Sequence, residues 1–243
     1  MLDAATHEAP ADIVLVHGAG GNNLLWRRTV QNLSGRRKAY SVNLPGHPSG
    51  EISCQTVECY SDSVRDFIED SSLQRPVVCG HSMGSAVALR LALDHPDMVG
   101  GLVLVGAGAK LGVDPAITNG LREDPMGAIE RVITPRSFFA VDLGLGREAR
   151  LALSVSNLPV FLNDYLACKG FDVRADLPRL RARTLVVCGD KDVLTPPKWA
   201  HYLGQNILDS EVRFVKDGGH MLPLEKPEVL GGLIQGFLAS FTR

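Results

Sequence analysis

Pro76-Val77-Val78-Cys79-Gly80-His81-Ser82-Met83-Gly84-Ser85-Ala86-Val87-Ala88-Leu89-Arg90-Leu91-Ala92-Leu93 joins an apolar run of strand length to an apolar run of helical length through one serine with a glycine at each second neighbour. Pro76 to Cys79 reads as a buried strand, and Ser85 to Leu93 as a buried helix stopped by Pro96. Between them the chain has to turn sharply. Strand and helix pack so closely at such a turn that a Cβ at Gly80 or Gly84 has no room, and the residue at the apex sits in strained backbone with its side chain presented outward. Ser82 is therefore a candidate nucleophile. The pentapeptide alone is a weak signal, and the strand before it and helix after it supply the context it needs.

Outward from this turn, apolar runs of strand length recur at Asp12 to His17, Ala39 to Leu44, Pro76 to Gly80, Gly101 to Gly106, Thr184 to Gly189 and Val212 to Val215. Helical spacing fills Leu24 to Leu33, Thr56 to Ser71, Met83 to Asp94, Pro196 to Ile207 and a closing helix from Leu224 to Phe241. Continuous apolar strands alternating with helices predict an α/β fold, a parallel sheet covered on both faces. Residues 109–178 break the alternation. They carry no strand signal, are too long for a loop and are interrupted by Pro115, Pro125, Pro135 and Pro159, so they read as short helices. Inserted after the fourth strand, they would lie over the carboxyl ends of the strands, where open α/β sheets bind ligands. This predicts a cap on a core made of 1–108 and 179–243, with Phe138, Phe139, Phe161 and Tyr165 as possible pocket walls; a helical subdomain with no part in the site is the alternative.

The 243 residues are 45% hydrophobic and 21% charged, with a net charge of -2, which gives no electrostatic argument for a nucleic-acid or anionic-membrane partner. No apolar run approaches the ~20 residues of a membrane span, and no segment has the order of a secretory signal, so a soluble, cytoplasmic protein is expected. The five cysteines show neither a disulfide framework nor zinc-ligand spacing, and buried free thiols are expected of Cys79 and Cys188.

A serine nucleophile needs a base, an acid to orient that base, and donors for the oxyanion. After the fifth strand run stands Gly189-Asp190-Lys191-Asp192-Val193-Leu194-Thr195-Pro196, and after the sixth Asp217-Gly218-Gly219-His220-Met221. Ser82, Asp192 and His220 thus fall in the chain order Ser…Asp…His. Asp190 competes with Asp192, and Asp217 reads as a turn residue. After the first strand run comes His17-Gly18-Ala19-Gly20-Gly21, a glycine-rich turn suited to presenting a backbone N–H to an oxyanion.

Along essentially its whole length the chain resembles an α/β-hydrolase-fold serine esterase. The resemblance implies Ser82 as nucleophile, His220 as base and acid, Asp192 as the residue that orients the imidazole, and the backbone N–H groups of Ala19 and Met83 as the oxyanion hole. It favours Asp192 over Asp190, because the family places its acid three residues beyond the strand-end glycine, here Gly189. Leu44-Pro45-Gly46-His47-Pro48 is similar to the family's Asp-x-x-Gly-His-Gly turn, departing from it at Asn43 and Pro48, and makes His47 a scaffold residue. Only 11 residues precede the first strand run. That leaves no room for the two antiparallel strands many members carry there, and implies a six-stranded sheet in the order 2-1-3-4-5-6. His81 is expected to pack rather than to react, and Trp26 either borders the pocket or fills the core.

The implied activity is cofactor-free and metal-free hydrolysis of small to medium, largely apolar carboxylic esters through an acyl-enzyme, by a monomer or homodimer. Thioesterase, lactonase, carbon–carbon hydrolase and perhydrolase chemistry use the same triad, and some relatives are non-enzymatic receptors. Met221 follows His220 where similar hydroxynitrile lyases place a lysine. A thioether stabilises no leaving cyanide but packs well against apolar substrate, so ester hydrolysis is expected over cyanohydrin cleavage.

Overall fold

The computed structural model describes residues 12–33, 37–50, 52–128 and 158–242. Phe138 and Phe139 lie outside the described residues. Six strands, β1 (Ile13–Val16), β2 (Ala39–Val42), β3 (Val77–His81), β4 (Gly101–Val105), β5 (Thr184–Gly189) and β6 (Ser210–Val215), form one sheet in the order β2-β1-β3-β4-β5-β6. Every neighbouring pair is parallel.

The inner strands are apolar at successive positions because both faces of the sheet are covered. Along β1, Val14 and Val16 pack on one side while Ile13 and Leu15 pack on the other, and β4 divides Leu102 and Leu104 from Val103 and Val105 in the same way. Helices Val57–Asp70, Met83–Asp94 and Pro197–Asn206 contribute to the first layer, and Pro227–Ala239 to the second. Among the described residues no helix is long and apolar enough to cross a membrane.

The strand order reverses between β1 and β3, the switch point at which open α/β sheets bind ligands. The turns that follow these two strands hold Ala19 and Ser82, so the topology alone sets the glycine-rich turn beside the serine.

Three sequence expectations are corrected. The first helix opens as a 3-10 turn, Asn23–Trp26, capped by Asn22 Oδ1 accepting from the Leu24 N–H, and only then becomes an α-helix over Arg27–Gln31. The closing helix is divided into Leu222–Glu225 and Pro227–Ala239. Pro227 causes the break, since its ring excludes the α conformation at the preceding residue, and Lys226 lies at φ -138°. Finally, Cys54 and Cys59 form a disulfide with their Cα atoms 5.6 Å apart, leaving Cys79, Cys168 and Cys188 as free, buried thiols. The pairing depends on the chain turning into the helix capped by Thr56, which folds Cys59 back toward Cys54; a spacing of five matches no familiar framework, so nothing in the sequence marks it.

Between β4 and β5, Leu111 N–H donates to Phe171 C=O and Val173 N–H donates to Ala109 C=O. The two stems of the insertion thus leave the sheet side by side. Its described helices are Pro115–Glu123, Pro125–Ala128 and Leu158–Gly170, and Ile117, Leu121, Ala128 and Phe161 form a small apolar cluster of their own.

Candidate active site

Ser82 occupies the turn between β3 and helix Met83–Asp94 at φ 53° and ψ -118°, a region L-residues avoid. The tightness of the turn is measurable at its glycines. A Cβ on Gly80 would stand 2.1 Å from the Gly84 carbonyl oxygen, and one on Gly84 would stand 2.4 Å from that of Val16. These obstacles are backbone and cannot swing aside. Gly80→Ala is accordingly expected to destabilise the fold by about 3 kcal/mol, the upper end of ordinary overpacking, as measured by urea unfolding; a loss under about 1 kcal/mol would show that the elbow yields.

As the first residue of its helix, Met83 has no carbonyl one turn back to receive its N–H, and the helix dipole favours negative charge at that end. Across the switch point Gly18 lies against the elbow, where an added Cβ would be 3.0 Å from Ser82 Cβ, and the Gly21 N–H donates to the Gly18 carbonyl to close the turn. His17, fully buried, accepts the Leu44 N–H at Nε2 and donates from Nδ1 to the Gly18 carbonyl. Burial, with the charge of His47 next, lowers it to about 3, so it is a neutral brace between the turns after β1 and β2.

Asp192 and His220 come together from the ends of β5 and β6. His220 Nδ1 lies 2.8 Å from Asp192 Oδ2 with both side chains buried. A carboxylate can only accept, so Nδ1 carries a proton, and in the neutral ring the lone pair is on Nε2. The rest of the carboxylate is also satisfied: Oδ1 accepts the N–H groups of Leu194 and Thr195, and Oδ2 accepts the Thr195 hydroxyl at 2.8 Å. Burial would raise this acid, but the charge and hydrogen bond of His220 and the two bonds from Thr195 outweigh it and hold Asp192 below its ordinary range. Asp190, two residues earlier, faces Lys191 instead, at 3.6 Å.

The loop bearing His220 is braced on both flanks by Glu225, which accepts the Gly219 N–H at one oxygen and the Met221 N–H at the other. His81 donates from Nε2 to the His220 carbonyl at 2.9 Å; burial lowers it to about 3, so it remains neutral. Gly106, at φ 56°, admits the imidazole, since an added Cβ would be 3.1 Å from His220 Nδ1. Thr195, Glu225 and Gly106 were not singled out from the sequence. Thr195 stands within the Gly189 to Pro196 stretch, but nothing in its spacing marks a side chain that reaches both Asp192 and His220.

Ser82, Ala19 and His220 line one cavity of about 110 Å³, together with Phe161, Tyr165 and Met221. Trp26 does not line it. It is wholly buried in the core, edge-on to His81, and its neighbour Leu25 forms the wall instead, because the 3-10 turn points the indole inward. His47 lies outside the cavity and pairs with Asp164. Asp217 takes a turn conformation at φ 50°. Trp199, Ile117 and Cys168 also reach the cavity, though the sequence did not mark them.

A six-stranded parallel sheet with a strained serine at its switch point and a buried Asp–His pair at its carboxyl edge defines the α/β hydrolases. The chain belongs to this family, the Alpha/beta hydrolase family, whose sequence model matches residues 13–231, and it is a hydrolase. It is 29% identical over 248 residues to a pimeloyl-acyl-carrier protein methyl ester esterase of Aromatoleum aromaticum, covering 92% of this chain and 96% of that protein. To the protein of that name from Vibrio atlanticus it is 27% identical over 230 residues, 86% of this chain and 87% of the other. The crystal structure of the enol-lactonase from Burkholderia xenovorans shares the fold, with a TM-score of 0.87, 22% identity, and 95% of this chain and 92% of that chain covered.

Proposed function

We propose that this hydrolase cleaves carboxylic esters of small to medium, largely apolar acids through an acyl-enzyme on Ser82. The Ser82 oxygen attacks the ester carbonyl as its proton passes to His220 Nε2, and the resulting oxyanion rests on the N–H groups of Ala19 and Met83. His220, now an imidazolium held by Asp192, gives its proton to the departing alcohol. Water then attacks the acyl group with His220 again as base, releasing the acid and restoring Ser82. The observation that carries this reading is the buried His220–Asp192 pair opening on the same cavity as the strained serine. The methyl ester esterases among the relatives support an ester with a small alcohol.

The insertion, residues 109–178, serves in this reading as the lid, its described part contributing Leu111, Ile117, Phe161 and Tyr165 to the cavity wall. About 110 Å³ is close to the size of a cavity (~150 Å³) that takes up benzene, so short acyl groups fit best. Met221, buried in the wall after His220, brings no cation to the site. A panel of p-nitrophenyl esters from acetate to palmitate, beside a thioester, a lactone and mandelonitrile, tests these points. Acetate to hexanoate should lead and cyanide release should stay at background. A best rate with palmitate would require an open lid; a thioester or lactone in first place would move the protein to that class, comparable cyanide release would make it a lyase, and tight binding without turnover would make it a receptor.

A further inference from the structure

We propose that Asp164 is a positioning residue for the oxyanion turn: a buried carboxylate on the insertion helix that fixes the Ala19–Gly20 peptide, and with it the direction of the Ala19 N–H. This rests on the proposed role of Ala19 as an oxyanion donor. Asp164 is 0% exposed, stands on helix Leu158–Gly170 and does not line the cavity. Its Oδ2 accepts the Gly20 N–H at 2.8 Å and His47 Nε2–H at 2.9 Å, and its Oδ1 accepts the Tyr60 hydroxyl at 2.5 Å. The three donors come from the turn after β1, the turn after β2 and helix Val57–Asp70. One side chain of the insertion therefore ties together three segments of the core.

The protonation of the cluster follows from its geometry. His47 Nδ1 faces the Pro45 carbonyl at 3.1 Å and Nε2 faces the carboxylate, both acceptors only, so each nitrogen carries a proton and the ring is an imidazolium. Burial opposes that charge, but the hydrogen bond and negative charge of Asp164 outweigh it and raise His47 above its ordinary value. Among the described residues, the other titratable groups facing Asp164 are neutral. His17, its ring 4.7 Å from that of His47, is lowered to about 3, while burial pushes Tyr60, Tyr165 and Cys168 up. The cluster is thus a single buried ion pair, Asp164 with His47, in which the carboxylate spends a second strong bond on the Gly20 amide. A buried carboxylate short of partners is costly, so the amide cannot drift without loss.

Ala19 is held between two contacts. Gly18 lies against the elbow, and Gly20, at φ 66°, lies against the insertion helix, where an added Cβ would be 2.0 Å from the Phe161 ring. Successive peptide planes share the Ala19 Cα. The Gly18–Ala19 plane, whose N–H meets the oxyanion, is held at its carbonyl by Gly21 and His17, and Asp164 holds the next plane, so the two torsions of Ala19 are fixed from both sides. Loss of one oxyanion donor costs roughly 10²–10³ in kcat, and a donor that is loosened rather than removed should cost less.

Asp164→Asn keeps the shape but turns an NH2 toward one of the three donors. It is expected to lower kcat by roughly 10- to 100-fold with KM nearly unchanged, and to weaken a trifluoromethyl ketone, which forms an oxyanion on Ser82, in parallel with kcat while sparing the acid product. Asn163→Ala is the control: it removes the 2.9 Å bond from Asn163 Nδ2 to Ser53 Oγ, another tie between the same helix and the core, and should leave kcat near wild type. Wild-type kcat and ketone affinity in Asp164→Asn, or equal losses in Asn163→Ala, would overturn the proposal. Should Asp164→Asn fail to fold, hydrogen exchange at the Gly20 amide of the wild-type protein decides: strong protection supports the latch, and exchange at the rate of an exposed loop amide overturns it. A serine-directed phosphonate separates the two levels. No label on Ser82 of the wild type removes the acyl-enzyme reading itself, whereas a labelled Ser82 with an unaffected Asp164→Asn removes the latch alone.

Discussion

Replacing Ser82 with alanine is expected to lower ester turnover by roughly 10⁴ to 10⁶ while the protein stays folded. The magnitude follows from what goes and what stays. The covalent route disappears with the Ser82 oxygen, and His220 is left with no hydroxyl to deprotonate; the cavity and the Ala19 and Met83 amides remain, so binding and some polarisation of the carbonyl persist. Stability should change little, because alanine keeps the Cβ that already occupies the φ 53° position and loses only one oxygen. Steady-state rates on the best short-chain ester, with circular dichroism to confirm folding, measure both parts. Turnover of the folded variant within tenfold of wild type would exclude an acyl-enzyme on this serine.

The second large effect belongs to the acid. Asp192→Asn should cost about 10⁴ in kcat, because an amide NH2 facing His220 drives the ring proton from Nδ1 to Nε2 and removes the lone pair that must accept the Ser82 proton. Asp190→Asn, whose carboxylate faces Lys191, should cost far less. The reverse ranking would move the acid to Asp190. Asp192 also carries a pH signature. Its folded value lies below the ordinary carboxylate range, so its contribution to stability is present above the unfolded value of ~3.8 and is lost as pH falls through the folded one. Asp192→Asn should therefore flatten that part of the acid unfolding profile, which urea titrations at descending pH would show; an unchanged profile would mean that the carboxylate is not stabilised in the fold.

The sheet was legible in the sequence because a parallel strand buried on both faces leaves an unbroken apolar run, as β1, β3, β4 and β5 do, while the half-exposed edge strands β2 and β6 leave shorter, interrupted ones. The elbow was legible for a related reason. Its glycines are dictated by contacts within a few residues, such as Gly80 against Gly84, so the local chain records them. Ser82, Asp192 and His220 could be picked out because each stands just past a strand, in a topology that leaves little choice about which strand ends meet.

Side chains whose partners are distant in sequence left no such record. Whether Trp26 or Leu25 faces the cavity depends on the phase of a 3-10 turn, which is set by Asn22 and by the packing of the indole on His81. The disulfide depends on where the helix capped by Thr56 begins. Gly106 reads as a strand end in the sequence, and its need for glycine comes from His220, 114 positions later in the chain, which packs against it. Asp164 looked like one polar residue in an apolar helix, and its meaning comes from Gly20, His47 and Tyr60, each more than 100 residues away. The sequence by itself determined the strands and the residues at their ends, since these follow from local periodicity, while the strand order came from the resemblance to the α/β hydrolases. Only the tertiary structure decided how those residues are held, because a buried polar group takes its partners from whatever the fold brings within 3 Å, and that distance is not written in the spacing of the chain.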